Sequence, residues 1–191
     1  MSVDAYQTRK LPREFYDRDT ITVAKSLLGQ HLVHRSQGIE RVGKIVEVEA
    51  YLGEHDLAAH SSKGRTKRTE VMFGPPGFAY VYLIYGIYHC FNVVTESSEM
   101  GSAVLIRAIE PVANITGRTQ GPGLLCQAML LDRQHNAHDL LSDDLFIAKG
   151  DTTIVTSIIE APRIGVHYAK QWALKPLRFY IEGNAFVSKL S

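Results

Sequence analysis

The stretch from Phe78 to Thr95, FAYVYLIYGIYHCFNVVT, constrains the fold most. Its β-branched and aromatic side chains favour extended backbone, and its one breaker is Gly86. The pattern predicts two strands joined by a tight turn at Tyr85-Gly86. Tyr80, Tyr82, Tyr85 and Tyr88 fall within this hairpin. Tyr80 and Tyr88 read as core residues with a wet hydroxyl. A large ring at a hairpin tip cannot be buried by its own sheet, so Tyr85 is expected to be exposed. Such a side chain can enter the minor groove of a duplex and part stacked bases.

The other elements follow from the same rules. Asp19 or Thr20 can cap a helix through Val23, Ala24, Leu27 and Leu28, closed by Gly29. Residues 30–35 read as a strand, 36–38 as a turn and 41–51 as a longer strand. In that strand Val42, Lys44, Val46, Val48 and Ala50 share one face, and Ile45, Glu47, Glu49 and Tyr51 the other. Residues 53–76 are polar and rich in breakers, which predicts a long loop. Further strands are expected over 103–109, 145–148, 153–159 and 177–181. Gly121-Pro122-Gly123 starts a helix with Leu124, Leu125, Ala128 and Met129 as its apolar stripe. Residues 167–172 read as one or two helical turns. The expectation is one α+β domain over 1–191: a curved, mostly antiparallel sheet, flanking helices and a protruding β-hairpin. Residues 1–12 read as an arm leading into it.

Whole-chain charge sets limits. With 191 residues, 21 Lys+Arg and 20 Asp+Glu, the net charge is +1. That excludes a uniformly basic nucleic-acid binder and an acidic disordered chain. Cys90 and Cys126 cannot form a disulfide framework. With no apolar run of signal-peptide or membrane-spanning length, a soluble protein of the cytoplasm, or of the nucleus in a eukaryote, is expected. Local charge is uneven. Lys63, Arg65, Lys67 and Arg68 crowd the long loop, and Arg163, Lys170, Lys175, Arg178 and Lys189 crowd the tail. The two groups could form one phosphate-attracting face, although two ordinary solvated faces are the plainer reading of charge alone.

Glu47 and Glu49 put two carboxylates on one face of a strand that reads as buried, with Tyr51 continuing that face. Buried carboxylates are costly unless paired or functional. A salt bridge to an arginine such as Arg107 competes with a role as a general base. His55, Asp56 and His60 match no strong zinc spacing, so no metal is expected. Together the residues suggest base flipping: Tyr85 as wedge, Tyr51, His60 and Tyr82 around an extruded base, and Glu49 activating water.

Five segments carry a resemblance: VEVEAYLGEHDLAAH, RTEVMFGPPGFAYVYLIYGIYHCFNVV, AVLIRAIEP, the GPG helix and PRIGVHYAKQWALKPLRFY. In this order, from Phe15 to Ser188, the chain resembles the 3-methyladenine (alkyladenine) DNA glycosylases. The resemblance implies a DNA-repair enzyme that removes damaged purines from double-stranded DNA, as a monomer and without cofactor. Carried over by motif, Glu49 is the general base, helped by Arg107 and the main-chain carbonyl of Ile164. Tyr51 and His60 stack on the flipped base, Tyr82 closes the pocket edge, and the His60 N–H reads the base. Asn92 crowds the two-amino group of guanine, and Tyr85 intercalates. Lys63, Arg65, Lys67 and Arg68 are expected at the DNA backbone. The segment between Pro111 and Gln120 is shorter than in longer family members, and Leu124 stands where a lysine is common. A non-catalytic nucleic-acid binder with the same face and hairpin is the alternative. A carbohydrate hydrolase using Glu47 and Glu49 ranks lower, because it leaves the aromatic tip and basic loop unexplained.

Overall fold

A computed structural model describes residues 4–150, 155 and 157–190, without the side chains of residues 4 and 5. Among the described residues, eight strands form one sheet: β1 (His31–Ser36), β2 (Ile39–Leu52), β3 (Ala79–Ile84), β4 (Tyr88–Thr95), β5 (Ser102–Ala113), β6 (Leu145–Ala148), β7 (Ile158–Ala161) and β8 (Arg178–Ile181). Their order is β3-β4-β5-β2-β1-β6, with β8 pairing β2 and β7 pairing β8. Every pairing between named strands is antiparallel. The sheet curls into a half-barrel. Four short helices accompany it: α1 (Asp4–Gln7), α2 (Arg13–Tyr16), α3 (Thr20–Leu27) and α4 (Pro122–Met129). The architecture is the expected α+β one.

β2 is the axis of the molecule. Its first part pairs β1 and its later part pairs β8, while β5 runs along the opposite edge. The β2–β5 register slips twice in succession: Ile45 faces Ile109, Glu47 faces Ala108, and Val48 faces Ile106. Val46 is therefore an extra residue on β2 and Arg107 an extra residue on β5. These bulges correct the expected alternation. Ile45 joins Val46, Val48 and Ala50 in the main core, while Glu47 and Glu49 remain on the other side.

Local signals placed the remaining elements. Asp19 caps α3 by accepting the Thr22 N–H at 2.9 Å. The lead-in arm docks against β6, where the Leu11 N–H donates to the Ile147 carbonyl at 2.8 Å. The loop of residues 53–76 contains short 3-10 turns, His60–Lys63 and Glu70–Phe73. In α4 the buried residues are Leu125, Cys126 and Met129. Leu124 is only half-buried, because the helix turns its start toward the hairpin rather than the core. Gly123 allows that approach, since a Cβ there would lie 2.6 Å from the Tyr88 ring. The strand expected over 153–159 is seen as Ile158–Ala161, and residues 151–154 and 156 lie outside the described ones.

The hairpin turns where the sequence indicates. Tyr85 has φ 53° and Gly86 φ 73°, and the Ile87 N–H donates to the Ile84 carbonyl at 3.3 Å. Two successive left-handed residues match strand twist, and Gly86 adopts the conformation freely. Tyr85 holds it against its Cβ.

Candidate active site

Glu49 is fully buried near the middle of the sheet. Its Oε2 accepts the Tyr51 hydroxyl at 2.7 Å, its Oε1 accepts the Ile164 N–H at 2.7 Å, and Arg107 Nη1 lies 3.4 Å from Oε1. Tyr51 reaches it because strand residues two apart share a face. Ile164 comes from more than a hundred positions away. A carboxylate has about four lone-pair sites. Each oxygen accepts one hydrogen bond, and Arg107 adds an ion pair on the Oε1 side.

Glu47 is also fully buried and belongs to the same network. It takes Arg107 Nε at 3.3 Å, Arg178 Nη1 at 3.0 Å and the Ser188 N–H at 2.7 Å. The Arg107 guanidinium thus spans both carboxylates, an aim made possible by its bulge. Burial alone would lower the Arg107 pKa, but Glu49 and Glu47 together raise it above the ordinary arginine value. Two buried anions face two buried cations, which makes the burial bearable. The salt-bridge reading of the glutamate pair holds, since each carboxylate meets Arg107; of the two, Glu49 lines the cavity and Glu47 does not.

That cavity measures about 620 Å³. Glu49, Tyr51, His60, Tyr82, Tyr85, Asn92, Arg107 and Ile164 all line it. The His60 and Tyr82 rings meet edge-on with centroids 4.5 Å apart. His60 Nδ1 lies 3.0 Å from the Tyr80 hydroxyl. Burial, helped by the charge of Arg68, lowers the His60 pKa to about 4. Burial also lifts the Tyr51 and Tyr82 phenols well above their ordinary value, with the Glu49 charge adding to the shift at Tyr51. These rings are neutral at physiological pH. The Asn92 amide donates to the Tyr80 carbonyl at 3.0 Å, which fixes its orientation at the wall. Tyr85 is 85% exposed at the rim. Among the described residues, no lysine lines the cavity.

Some wall residues carried no recognisable sequence signal. Met72, Cys90 and Tyr168 join the lining through long-range folding. Tyr88, expected in the core, is half-buried and lines it too. Tyr80 is buried, as expected.

The basic tail needs correction. Arg163 and Arg178 are buried rather than surface cations. Arg163 forms an ion pair with Asp56 at 2.6 Å, donates to the Ala50 carbonyl at 2.8 Å and stacks 4.7 Å from the Tyr51 ring centroid. Arg178 is held by Glu47 and by the Pro162 and Lys189 carbonyls. Desolvation made these two unusable as exposed phosphate ligands, and their pairing across distant segments is invisible to local charge counting. In the loop, Arg65 pairs with Glu99 and lies over the Phe73 ring. Lys63 and Arg68 line a second cavity beside the first, and Lys67 is exposed. Asp56 is committed to Arg163 and to the Leu52 and Ala58 N–H groups, while the His55 ring packs against Trp172. Among the described residues, no group of three or more His, Cys, Asp or Glu is placed to hold a metal ion.

The site is thus a buried carboxylate lining an aromatic cavity of an α+β half-barrel, with an exposed tyrosine at the hairpin tip. The model of the methylpurine-DNA glycosylases matches residues 14–185. A relative from Legionella pneumophila (strain Corby), provisionally named a 3-methyladenine DNA glycosylase, is 65% identical over 95% of this chain and 99% of its own. Relatives with the same provisional name from Myxococcus xanthus and Anaeromyxobacter are 52% and 53% identical, each over 94% of this chain and 93% of their own. The chain belongs to the methylpurine-DNA glycosylase family and is a DNA glycosylase of the repair of alkylated DNA.

Proposed function

We propose that the protein extrudes alkylated or deaminated purines from duplex DNA and hydrolyses their N-glycosidic bond with a water activated by Glu49. The observation that carries this reading is that the buried carboxylate of Glu49, held by Tyr51, Ile164 and Arg107, lines a cavity that exposed Tyr85 also lines. A water there would lose a proton to Glu49 as its oxygen bonds to the sugar C1′. The C1′–N bond breaks with its electron pair passing to the purine. For a base alkylated at N3 or N7, that pair neutralises the ring's positive charge. Glu49 also opposes the charge growing on the sugar.

The walls suit such a base. A cationic ring is favoured between the faces of Tyr51 and His60, with Tyr82 at the pocket edge, and the neutral His60 adds no opposing charge. Asn92, oriented by the Tyr80 carbonyl, would crowd the two-amino group of guanine. Tyr85 would fill the gap left by the departed base. The lysine-free lining supports a monofunctional reaction, ending at an abasic site without Schiff-base strand cleavage.

The test is single-turnover base release from duplexes that each carry one modified purine. Wild-type protein should release the alkylated bases, and Glu49→Gln should lose release while keeping DNA binding. Undiminished release by Glu49→Gln would overturn the assignment. Binding without release by the wild type would leave a non-catalytic DNA binder.

A further inference from the structure

The second cavity, about 460 Å³, shares two lining residues, His60 and Tyr168, with the base pocket. Three cations border it: Lys63 and Arg68 from the long loop, and Lys170 from the tail. Among the described residues, no acidic side chain does. Lys63 ends a 3-10 turn that His60 begins, so cavity and base pocket are built on one short element. Arg68 also lies 5.5 Å from the Tyr82 ring centroid, which ties the basic cavity to the base-pocket wall.

Lys170 is the unusual member. Its backbone has φ 53° and ψ −131°, a combination that favours glycine, at the break between two 3-10 turns of His167–Leu174. Glycine there would relieve the backbone, yet the chain holds a lysine whose side chain reaches an acid-free cationic cavity. We infer that this cavity is a phosphodiester site, in which Lys170, with Lys63 and Arg68, holds a backbone phosphate of the lesion strand beside the extruded nucleotide. The inference rests on the base-extrusion reading for which phosphate is held. A nucleotide whose base lies against His60 would carry its backbone close to the cavity that shares this residue.

The test uses the full chain and a lesion-bearing duplex, with affinity measured across a range of salt. Lys170→Gly should weaken binding and reduce the slope of log K against log[salt] by about one. It should also raise the thermal unfolding midpoint by relieving the backbone. Lys149→Ala, beyond β6 at the far edge of the sheet, should leave the slope unchanged. A neutral methylphosphonate scanned along the lesion strand should erase the difference between wild type and Lys170→Gly at one position next to the lesion. An unchanged salt slope for Lys170→Gly would overturn the site. Loss of slope with no single sensitive linkage would overturn the assignment to one phosphate. Thermal stabilisation by inorganic phosphate that depends on Lys170, with DNA binding unaffected, would assign the cavity to a free anion instead. If the wild type binds DNA with the expected slope but releases no base, the glycosylase reading fails and the phosphate site stands.

Discussion

Tyr51 donates its phenol to Glu49 at 2.7 Å, from two positions along the same strand. The bond consumes one lone pair of Oε2 and fixes the carboxylate where it lines the cavity. Tyr51→Phe keeps the ring that would stack on a base but removes this bond. A hydrogen bond to a charged group contributes about 1.5–3 kcal/mol. Single-turnover base release should therefore fall about 10- to 100-fold, with lesion-duplex affinity changed by less than about threefold. Equal losses in affinity and rate would mean that the hydroxyl acts on binding.

Glu47 holds Arg107 and Arg178 together beneath Glu49. Glu47→Gln removes a buried anion and leaves two buried cations undercompensated. The expected cost is about 3–5 kcal/mol of folding stability, read as a lower denaturant midpoint. The Ser188 N–H also bonds to Glu47. Amide exchange at Ser188 should therefore accelerate more than exchange in β3, at the sheet edge remote from this network.

His60 supplies a pH test. Its folded pKa of about 4 lies below the ordinary histidine value of 6.5. The unfolded chain therefore binds more protons between those values, so stability falls as pH drops from about 6.5 toward 4. The contribution is on the order of 3 kcal/mol. Carbon-detected NMR should show the imidazole still neutral at pH 5.5. His60→Phe should flatten this part of the stability profile, and an imidazole titrating near 6.5 would refute the assigned burial effect.

Tyr85 combines 85% exposure with a left-handed backbone. Tyr85→Gly should therefore stabilise the fold by up to about 1 kcal/mol. The same change should slow base release from a paired duplex much more than from a lesion that is already unpaired. Equal slowing on both substrates would place Tyr85 in the chemical step rather than in extrusion.

Much of the site was legible because its residues lie in local patterns. Glu49 and Tyr51 share a face through strand alternation, and Tyr85 sits at the tip because Gly86 supplies the turn. The limits also have local causes. Alternation failed at Ile45 because a bulge depends on the partner strand. The tail arginines looked like surface charge because the acids that bury them, Asp56 and Glu47, lie more than a hundred positions away.

By itself, the order of residues determined the tyrosine hairpin, the glutamate face of β2 and the family, since each is written in short-range spacing and motif. Tertiary structure alone decided that Arg107 bulges to bridge two carboxylates, that Ile164 reaches Glu49, and that Lys170 joins Lys63 and Arg68 around one cavity. Those contacts depend on how distant strands pair and on which charges lose their water, and both are settled only when the chain closes on itself.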